Sequence, residues 1–469
     1  MRVVQGMTDE KTTTESFALD ALSSLDGRYA GDIQPLRDYF SEFAYLRQRV
    51  RVEIEYLLAL SREARLVRPF SGTEQQLLAP LAEKFSLADA QEIKRLEHTT
   101  RHDVKAIEYY LRAQLARTSL ADVVQWIHFG LTSEDVNQTA QALALRDSRD
   151  AVILPALDNI LELLATLARK HARTPMLART HGQPAVPTTF GKELAVFFAR
   201  LKKQRTLLGE HRFEAKLNEA TGNFNALMAA APQVDWLSFS ARFIRTLGLE
   251  PNLATTQLLP FDNWIRYFDL VRLTNSILLD AAQDMWRYIS DDYVSLPAVS
   301  GEIGSSTMPQ KVNPIDFENA EGNLGLANAL FAHYAEKLPR SRLQRDLSDS
   351  TVRRTFGVAL GHSLVAYINF ARGLKHIQPN EARMRQDLQR HWEVIAEGAQ
   401  TILRAAGVEN AYEQLVTLTH GKPLTESEYQ TWVDAVSLGD AIKARLRVLT
   451  PISYIGAAEE LVERAVQDQ

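Results

Sequence analysis

Three features of the sequence predict an all-α fold dominated by long helices. Turn-forming residues are scarce, apolar residues recur with a helical period over long stretches, and no set of segments alternates with period two. Gly (22) and Pro (17) are both few for 469 residues, against averages of about 7% and 5%, and few turns mean long elements. Between 40 and 60, the residues Phe40, Phe43, Tyr45, Leu46, Val50, Ile54, Leu57 and Leu58 fall mostly three or four positions apart, which places them on one helix face. The same texture predicts helices over 151–171, 190–217, 264–289, 313–338 and 352–377. Several exceed 20 residues, the length of helices that cross a whole domain in a bundle. Pro155 should start or kink the first of these five, because proline lacks the N–H that a helix interior uses. Strands should be few and short.

Some of these helices are apolar on more than one face, as over Ile277–Ala282 with Leu270, Val271 and Leu273 before it. Such a helix is central in a bundle or buried against another subunit. A homo-oligomer on a helical core is therefore expected, with a large monomer around one deep core as the alternative. The chain divides into a polar extension over 1–19, frayed or disordered, a helical domain over 20–120, a long-helix domain over 121–376 and a shorter-helix domain over 377–469. The last is entered through the linker-like Gln378-Pro379-Asn380.

Lys plus Arg total 53 and Asp plus Glu 58, a net charge of −5 that gives no support to nucleic-acid binding or to a polybasic membrane contact. A local basic pocket for a small anion remains open. The absence of cysteine removes disulfides, cysteine-ligated zinc, iron–sulfur clusters and thiol nucleophiles together. The opening MRVVQGMTDEKTTTES is polar, and charges break the apolar stretches short of the roughly 18 residues of a membrane span. A soluble, cytoplasmic protein is expected. His98 and His102 lie four apart and could share a helix face, as a metal pair would. However, HExxH is absent, and Glu97 and Asp103 adjoin the histidines instead of lying a turn away. Neither a metal nor another cofactor is expected.

The segment that breaks the helical texture most clearly is Gly301-Glu302-Ile303-Gly304-Ser305-Ser306-Thr307-Met308-Pro309-Gln310-Lys311-Val312-Asn313-Pro314. Its glycines allow close backbone approach, and its serines, Lys311 and Asn313 offer donors to an anion. GxxxxGK[ST] is absent, GxSxG fails at Met308, and SxxK fails at Met308 and Pro309. On composition alone this is either a solvated connector or a functional loop on a rigid scaffold.

Gly304 to Pro314 resembles the GSSxMPxKxNP loop of the fumarase/aspartase superfamily, most of whose members are lyases that release fumarate. Asp26-Gly27-Arg28-Tyr29, Thr99-Thr100-Arg101-His102-Asp103-Val104-Lys105, Thr132-Ser133-Glu134-Asp135, Arg179-Thr180-His181-Gly182-Gln183-Pro184 and Gln344-Arg345-Asp346-Leu347-Ser348-Asp349-Ser350-Thr351 resemble the adenylosuccinate lyase family, in its order and in its longer-chain bacterial branch. The resemblance covers nearly everything from about residue 20 onward. It implies a three-domain fumarase/aspartase-like fold whose central long-helix bundle forms the core of a homotetramer, with helices from three subunits meeting at each site. It also implies β-elimination of fumarate from adenylosuccinate to give AMP, and from the succinyl-carboxamide ribotide (SAICAR) to give AICAR.

That chemistry needs a base, donors for a dianionic aci-carboxylate and an acid for the departing nitrogen. By residue-for-residue match, Ser305 is the family's base and His181 its acid. A hydroxyl is a poor base in water, so Ser305 would rely on loop amides and on Lys311. An imidazole titrating near 6.5 needs only modest tuning to carry a proton at working pH. The match assigns Arg28, Tyr29, Arg345, Ser350 and Arg354 to the phosphate end, together with the adjoining Thr351, Val352 and Arg353. Arginine forks suit phosphate and carboxylate. It places Arg101, His102 and Asp103 along the substrate, and assigns the hydroxyls of Thr132, Ser133 and Thr180 to the succinyl carboxylates. Ser306, Lys311, Val312 and Asn313 would hold the fumarate moiety, while Gln257 and Asn319 make further polar contacts.

Four positions depart from the family pattern. Gln310 stands where histidine is frequent, Arg101 where asparagine is, Glu219 where glycine is usual and Phe261 where histidine is common. None of them removes the base or the acid. Argininosuccinate lyase, or another fumarate-releasing member, is the nearest alternative. Asp26-Gly27-Arg28-Tyr29 and Ser350-Thr351-Val352-Arg353-Arg354 speak against it, because a phosphate needs cationic and hydroxyl ligands that a free amino acid does not. A non-catalytic helical oligomer is the alternative from another class.

Overall fold

A computed structural model describes residues 19–297, 307–308, 310–419 and 423–467. The helices that carry the argument are α1 (Glu42–Ala59), α2 (Leu87–Thr100), α3 (Asp103–Leu115), α4 (Ser133–Ser148), α5 (Leu154–Lys170), α6 (Phe190–Glu210), α7 (Asp262–Ser290), α8 (Ile315–Lys337), α9 (Ser348–Arg353), α10 (Phe356–His376) and α11 (Glu381–Gln389). Strands among the described residues form three two-stranded pairings, the longest joining β1 (Pro175–Thr180) and β2 (Gln183–Thr189). The all-α expectation is borne out, and the long helices fall where the periodicity put them.

The boundaries show what periodicity misses. α6 ends at Glu210 although the apolar pattern runs to Leu217. In the tail of that pattern Phe213, Ala215 and Leu217 are buried at period two, and Glu214–Ala215 pairs in parallel with Glu250–Pro251. α10 begins at Phe356 and not at Val352, because Ser348–Arg353 forms a separate short helix first. Pro155 lies at the start of α5, directly after a π turn over Arg149–Ile153. The wider turn accommodates a residue that offers no N–H to the helix ladder. α4, the π turn and α5 run on from Ser133 to Lys170, and half of the most apolar window of this stretch is buried in the protein. Leu157, Ile160, Leu161, Leu164, Ala165 and Ala168 make the interior face of α5.

By contact clustering the chain forms two compact units, one of Met1–Ala156, Arg205–Asn275 and Asn323–Val365, the other of Leu157–Gln204, Ser276–Gly322 and Ala366–Gln469. In the first unit α1 packs on α4. A cluster of rings fills part of its interior: Phe268 lies 4.8 Å from Phe356 and 5.6 Å from Phe331, and Tyr334 lies 5.2 Å from Phe356. Each fully buried ring contributes on the order of 1.5–3 kcal/mol through apolar burial. In the second unit Leu177, Leu388, Trp392, Ile395, Leu403, Leu415, Tyr429 and Val433 form one cluster. Through Leu177 that cluster holds β1, which packs on α11. Gln378–Pro379, read as a linker in the sequence, pairs with Val294–Ser295, and Asn380 then caps α11.

The N-terminus of α4 is fastened from below by a fully buried carboxylate. Asp135 accepts from the Thr132 N–H at 3.0 Å, from Lys216 Nζ at 2.6 Å and from the backbone N–H groups of Asn218 and Glu219 at 3.1 Å each. Lys216 and Asp135 have no exposed side-chain surface, a pair whose breakage costs about 3–5 kcal/mol. Glu219, where the family pattern has glycine, indeed adopts a left-handed φ of 68°. Its carboxylate offsets the strain by accepting from Ala226 N at 2.8 Å and Leu227 N at 2.6 Å. Glu219→Ala should therefore destabilise more than Glu219→Gly. Both lose the two bonds, at about 1–3 kcal/mol, but only glycine also relieves the roughly 1–2 kcal/mol of left-handed strain. Urea-unfolding midpoints of the two variants check this, and an alanine variant at least as stable as the glycine one would contradict it.

Candidate active site

The wall of the candidate site in the first unit begins at a break between two helices. α2 ends at Thr100 because Arg101 turns left-handed, with φ 51° and its N–H donating to Glu97 O at 2.7 Å. His102 is then the N-cap of α3, its Nδ1 accepting from Lys105 N at 3.1 Å. Accepting at Nδ1 places the ring proton on Nε2. His98 and His102 thus do not share a helix face, since α2 stops between them. Asp103 opens α3, where a carboxylate complements the helix dipole. Its Oδ2 accepts from Arg49 Nη2 at 2.7 Å.

The opposite wall comes from the first turn of α4 and from the segment 345–354. Glu134, beside Ser133, has no exposed surface. Its two oxygens accept from Arg345 Nη2 and Arg353 Nη2, each at 2.8 Å, and Oε1 also from Asn137 at 2.9 Å. Burial alone would raise this carboxyl, but the guanidinium groups of Arg353 and Arg345 hold it below the usual carboxylate range. Arg353 spends its other donors on Asp349 at 2.8 Å and Gln141 at 2.5 Å. Arg345 Nη1 donates to Gln257 Oε1 at 3.0 Å.

These walls enclose a cavity of about 440 Å³ lined by Arg101, His102, Asp103, Ser133, Arg345, Ser350, Arg353 and Arg354 together with Tyr45, Arg49, Glu97, Glu134, Asn137, Gln141 and Leu347. The acids deepest in its wall are already paired, Glu134 with two arginines and Asp103 with one. Arg101 and Arg354 add further positive charge at the rim, and the cavity suits an anion carrying more than one charge. A larger cavity of about 660 Å³ in the same unit includes Tyr39, Arg51, Glu55, Asp147 and Asp150 and none of the motif residues.

Eight of the residues singled out from the sequence therefore line one cavity, and Gln257 is bonded to its wall. Arg28, Tyr29, Thr132, Thr351 and Val352 belong to the same unit without lining it. Tyr29 packs beside Leu25, Ile33 and Val365. Arg353 is a wall residue, 4% exposed, with its donors committed to protein acceptors. Sequence reasoning missed Tyr45, Arg49, Glu134 and Gln141. The signal for Arg49 was present: with Leu46, Val50 and Glu53 it occupies the buried stripe of α1, where charge is unusual. Glu134, Asn137 and Gln141 share the i, i+3, i+7 spacing of one face of α4.

Thr180, His181, Lys311, Val312, Asn313 and Asn319 belong to the second unit. Ser305 and Ser306 lie outside the described residues. His181 and Gly182, with φ 55° and 75°, form the two-residue turn between the paired Thr180 and Gln183. Left-handed φ at both central positions is the type I′ geometry that matches strand twist. It costs glycine nothing and histidine roughly 1–2 kcal/mol. The base of the hairpin is buried and its tip exposed. The Arg179 guanidinium braces the turn by donating to Gly182 O at 3.5 Å and Asp387 Oδ2 at 3.4 Å, and Tyr293 Oη donates to the same Asp387 oxygen at 2.5 Å. Lys311 and Val312 are exposed, with Lys311 N donating to Met308 O at 3.0 Å.

Residues 27–328 match the model of a family described as lyase, and 341–455 that of the adenylosuccinate lyase C-terminal family. The chain is 46% identical over 449 residues to an adenylosuccinate lyase of Haemophilus influenzae, covering 95% of this chain and 98% of that one. It is 46% identical over 451 residues to one of Dictyostelium discoideum, covering 93% and 97%, and 44% identical over 452 residues to one of Escherichia coli, covering 96% and 99%. Among solved structures it resembles a fumarate lyase of Mesorhizobium with TM-score 0.74 at 19% identity, covering 93% of this chain and 98% of that one. It also resembles the 3-carboxy-cis,cis-muconate lactonizing enzyme of Pseudomonas putida with TM-score 0.72 at 22% identity, covering 92% and 96%. The last two speak to the fold.

Two outcomes follow from this geometry. Glu134→Gln removes the carboxylate that Arg345 and Arg353 share, leaves Asp349 as their remaining acidic partner, and should cost about 3 kcal/mol near pH 7. The folded carboxyl lies below its ordinary value of 4.5, so its contribution is full above that value and fades as pH falls through the folded value. The stability gap between wild type and variant should thus narrow on acidification below about 4.5, as urea midpoints from pH 7 to pH 3 will show. Arg179→Ala removes the brace of the hairpin. Because that group is partly exposed, the effect is about 1 kcal/mol, read as several-fold faster amide exchange confined to 175–189.

Proposed function

The chain belongs to the adenylosuccinate lyase family and releases fumarate from adenylosuccinate, and we propose that Ser305 and His181 divide the two proton transfers of that elimination. Ser305, as base, takes a proton from the succinyl carbon beside a carboxylate. The electron pair passes into that carboxylate as a dianionic aci-form. On its return it forms the double bond of fumarate and breaks the C–N bond, and His181 protonates the departing purine nitrogen to leave AMP. Lys311, Asn313 and Ser306 offer donors to the carboxylates, where charge grows in the transition state. Thr180, Asn319 and the hydroxyls of Thr132 and Ser133 serve the same end.

The observation that supports the substrate side of this reading is the cationic cavity of the first unit. Three motifs far apart in sequence, around Arg101–Asp103, Ser133 and Arg345–Arg354, line one space. A substrate with two carboxylates and a phosphate needs such a set of guanidinium and hydroxyl donors. Within the same proposal, Arg28, Tyr29, Thr351 and Val352 serve the phosphate end, and SAICAR is cleaved at the same site. The chain is organised as domains over 20–120, 121–376 and 377–469, and it works in the cytoplasm as a homotetramer whose sites are shared between subunits. Exposed apolar side chains on the long helices, including Leu273, Trp286 and Leu326 at 45–56% exposure, support an oligomer, since they are surfaces that a partner would cover.

A spectrophotometric assay of adenylosuccinate, run beside argininosuccinate, tests the reading. Wild type should consume the first and spare the second. Ser305→Ala and His181→Ala should each lower kcat at least a thousandfold with the oligomer intact by size-exclusion chromatography. A near-wild-type rate in either variant would overturn the assigned roles.

A further inference from the structure

Arg49 is 1% exposed, projects from the buried stripe of α1 and lines the cavity. Its guanidinium lies 3.7 Å from the centre of the Tyr45 ring and donates from Nη2 to Asp103 Oδ2 at 2.7 Å. Nε and Nη1 are buried and meet no acceptor among the described residues. Arg353, equally deep, shows what an arginine held for structure looks like, since Nε, Nη1 and Nη2 all reach side-chain oxygens. Buried donors left without partners cost stability and are rare in native proteins. Among the described residues its ion-pair partner is Asp103, and that pair fixes its charge on the cavity wall.

We infer that Arg49 is a positioning residue for the elimination: it fixes Asp103 as a charged acceptor on the cavity wall, where Asp103 takes hydroxyl or amino donors of the bound nucleotide. The inference rests on the proposed function and goes beyond it by adding a residue that acts through another. Three constraints converge on Asp103. Arg101 ends α2 in a left-handed turn, His102 caps α3, and the Arg49 contact sets the carboxylate orientation. A polyanionic substrate entering this cavity pushes Asp103 toward protonation, and Arg49 opposes that push. Burial raises the Asp103 carboxyl, whereas Arg49 and the Val104 N–H hold it below its ordinary range. His102 Nδ1 stands 3.9 Å from Asp103 Oδ1. Facing Arg49 are Tyr45 and Glu42 of its own helix and Glu134 of α4.

The test uses the full-length enzyme with Arg49→Met, which keeps bulk against Tyr45 without charge, and Arg49→Lys, which keeps the charge. kcat and KM for adenylosuccinate are measured from pH 5 to 8.5, with thermal midpoints alongside. Arg49→Met should acquire an acid limb in kcat/KM that wild type lacks, with a loss of at least tenfold at pH 6 carried mainly by KM. Arg49→Lys should restore the wild-type profile. Adding Asp103→Asn to Arg49→Met should abolish the new limb. A loss in Arg49→Met that is the same at every pH, or that falls on kcat alone, would overturn the inference. Should Arg49→Met not fold, the comparison passes to Arg49→Lys and Asp103→Asn singly. The expectation is a KM within about threefold of wild type for the former and at least tenfold higher for the latter, and the reverse order overturns it. Failure of wild type to cleave adenylosuccinate would sink the proposed function itself, an outcome separate from any of these.

Discussion

A carboxylate removed from water is tolerated only where cations replace its hydration, and Glu134 has two. Arg345 and Arg353 meet its two oxygens, and through them the first turn of α4 is locked to the segment that carries α9. Ser133 on one side and Ser350 and Arg354 on the other therefore face a common space at fixed separation. The cost of burying three charges is offset by further bonds to Asp349, Gln141, Asn137 and Gln257. Such networks are rigid because any rotation of one member strands another. The cavity inherits that rigidity.

A second buried carboxylate, Asp135, does for the backbone what Glu134 does for side chains. It gathers the Thr132 N–H, two amides from the segment after Lys216, and the lysine itself. Adjacent residues on one helix thus divide two tasks. One fixes where the helix begins, and the other fixes what stands opposite it. Alternate use of neighbouring acidic residues is possible here because α4 is buried nearly all round.

Left-handed backbone at non-glycine residues recurs where side chains of interest sit: Arg101, His181 and Glu219. Such conformations persist only where surroundings over-determine them. At Glu219 the carboxylate bonds to Ala226 and Leu227 do so. Arg101 is held by its amide bond to Glu97 and by the immediate start of α3. At His181 the paired strands, the Arg179–Asp387 contact and the buried base of the hairpin share the task. In each case a short irregular segment is pinned between regular elements, the arrangement that lets a loop residue hold a defined direction.

Helix content and position were legible in the sequence because the 3.6-residue period of burial is written into the order of apolar residues. The family could be read as well, since its motifs are short runs of specific residues such as Arg101-His102-Asp103 and Thr180-His181-Gly182. Where period alone decides, it misleads at the ends: the run to Leu217 is apolar in both a helix and the pairing that follows Phe213. What only tertiary structure decided is which of the charged residues share a space and in what state. Arg353 and Arg354 are neighbours in sequence, yet one is sealed into an ion network and the other stands at the rim of the cavity. Arg49 belongs to the cavity although 54 residues separate it from Asp103. Local sequence records which residues can lie on one face, but electrostatic pairing acts through space, and only the packed fold brings those faces together.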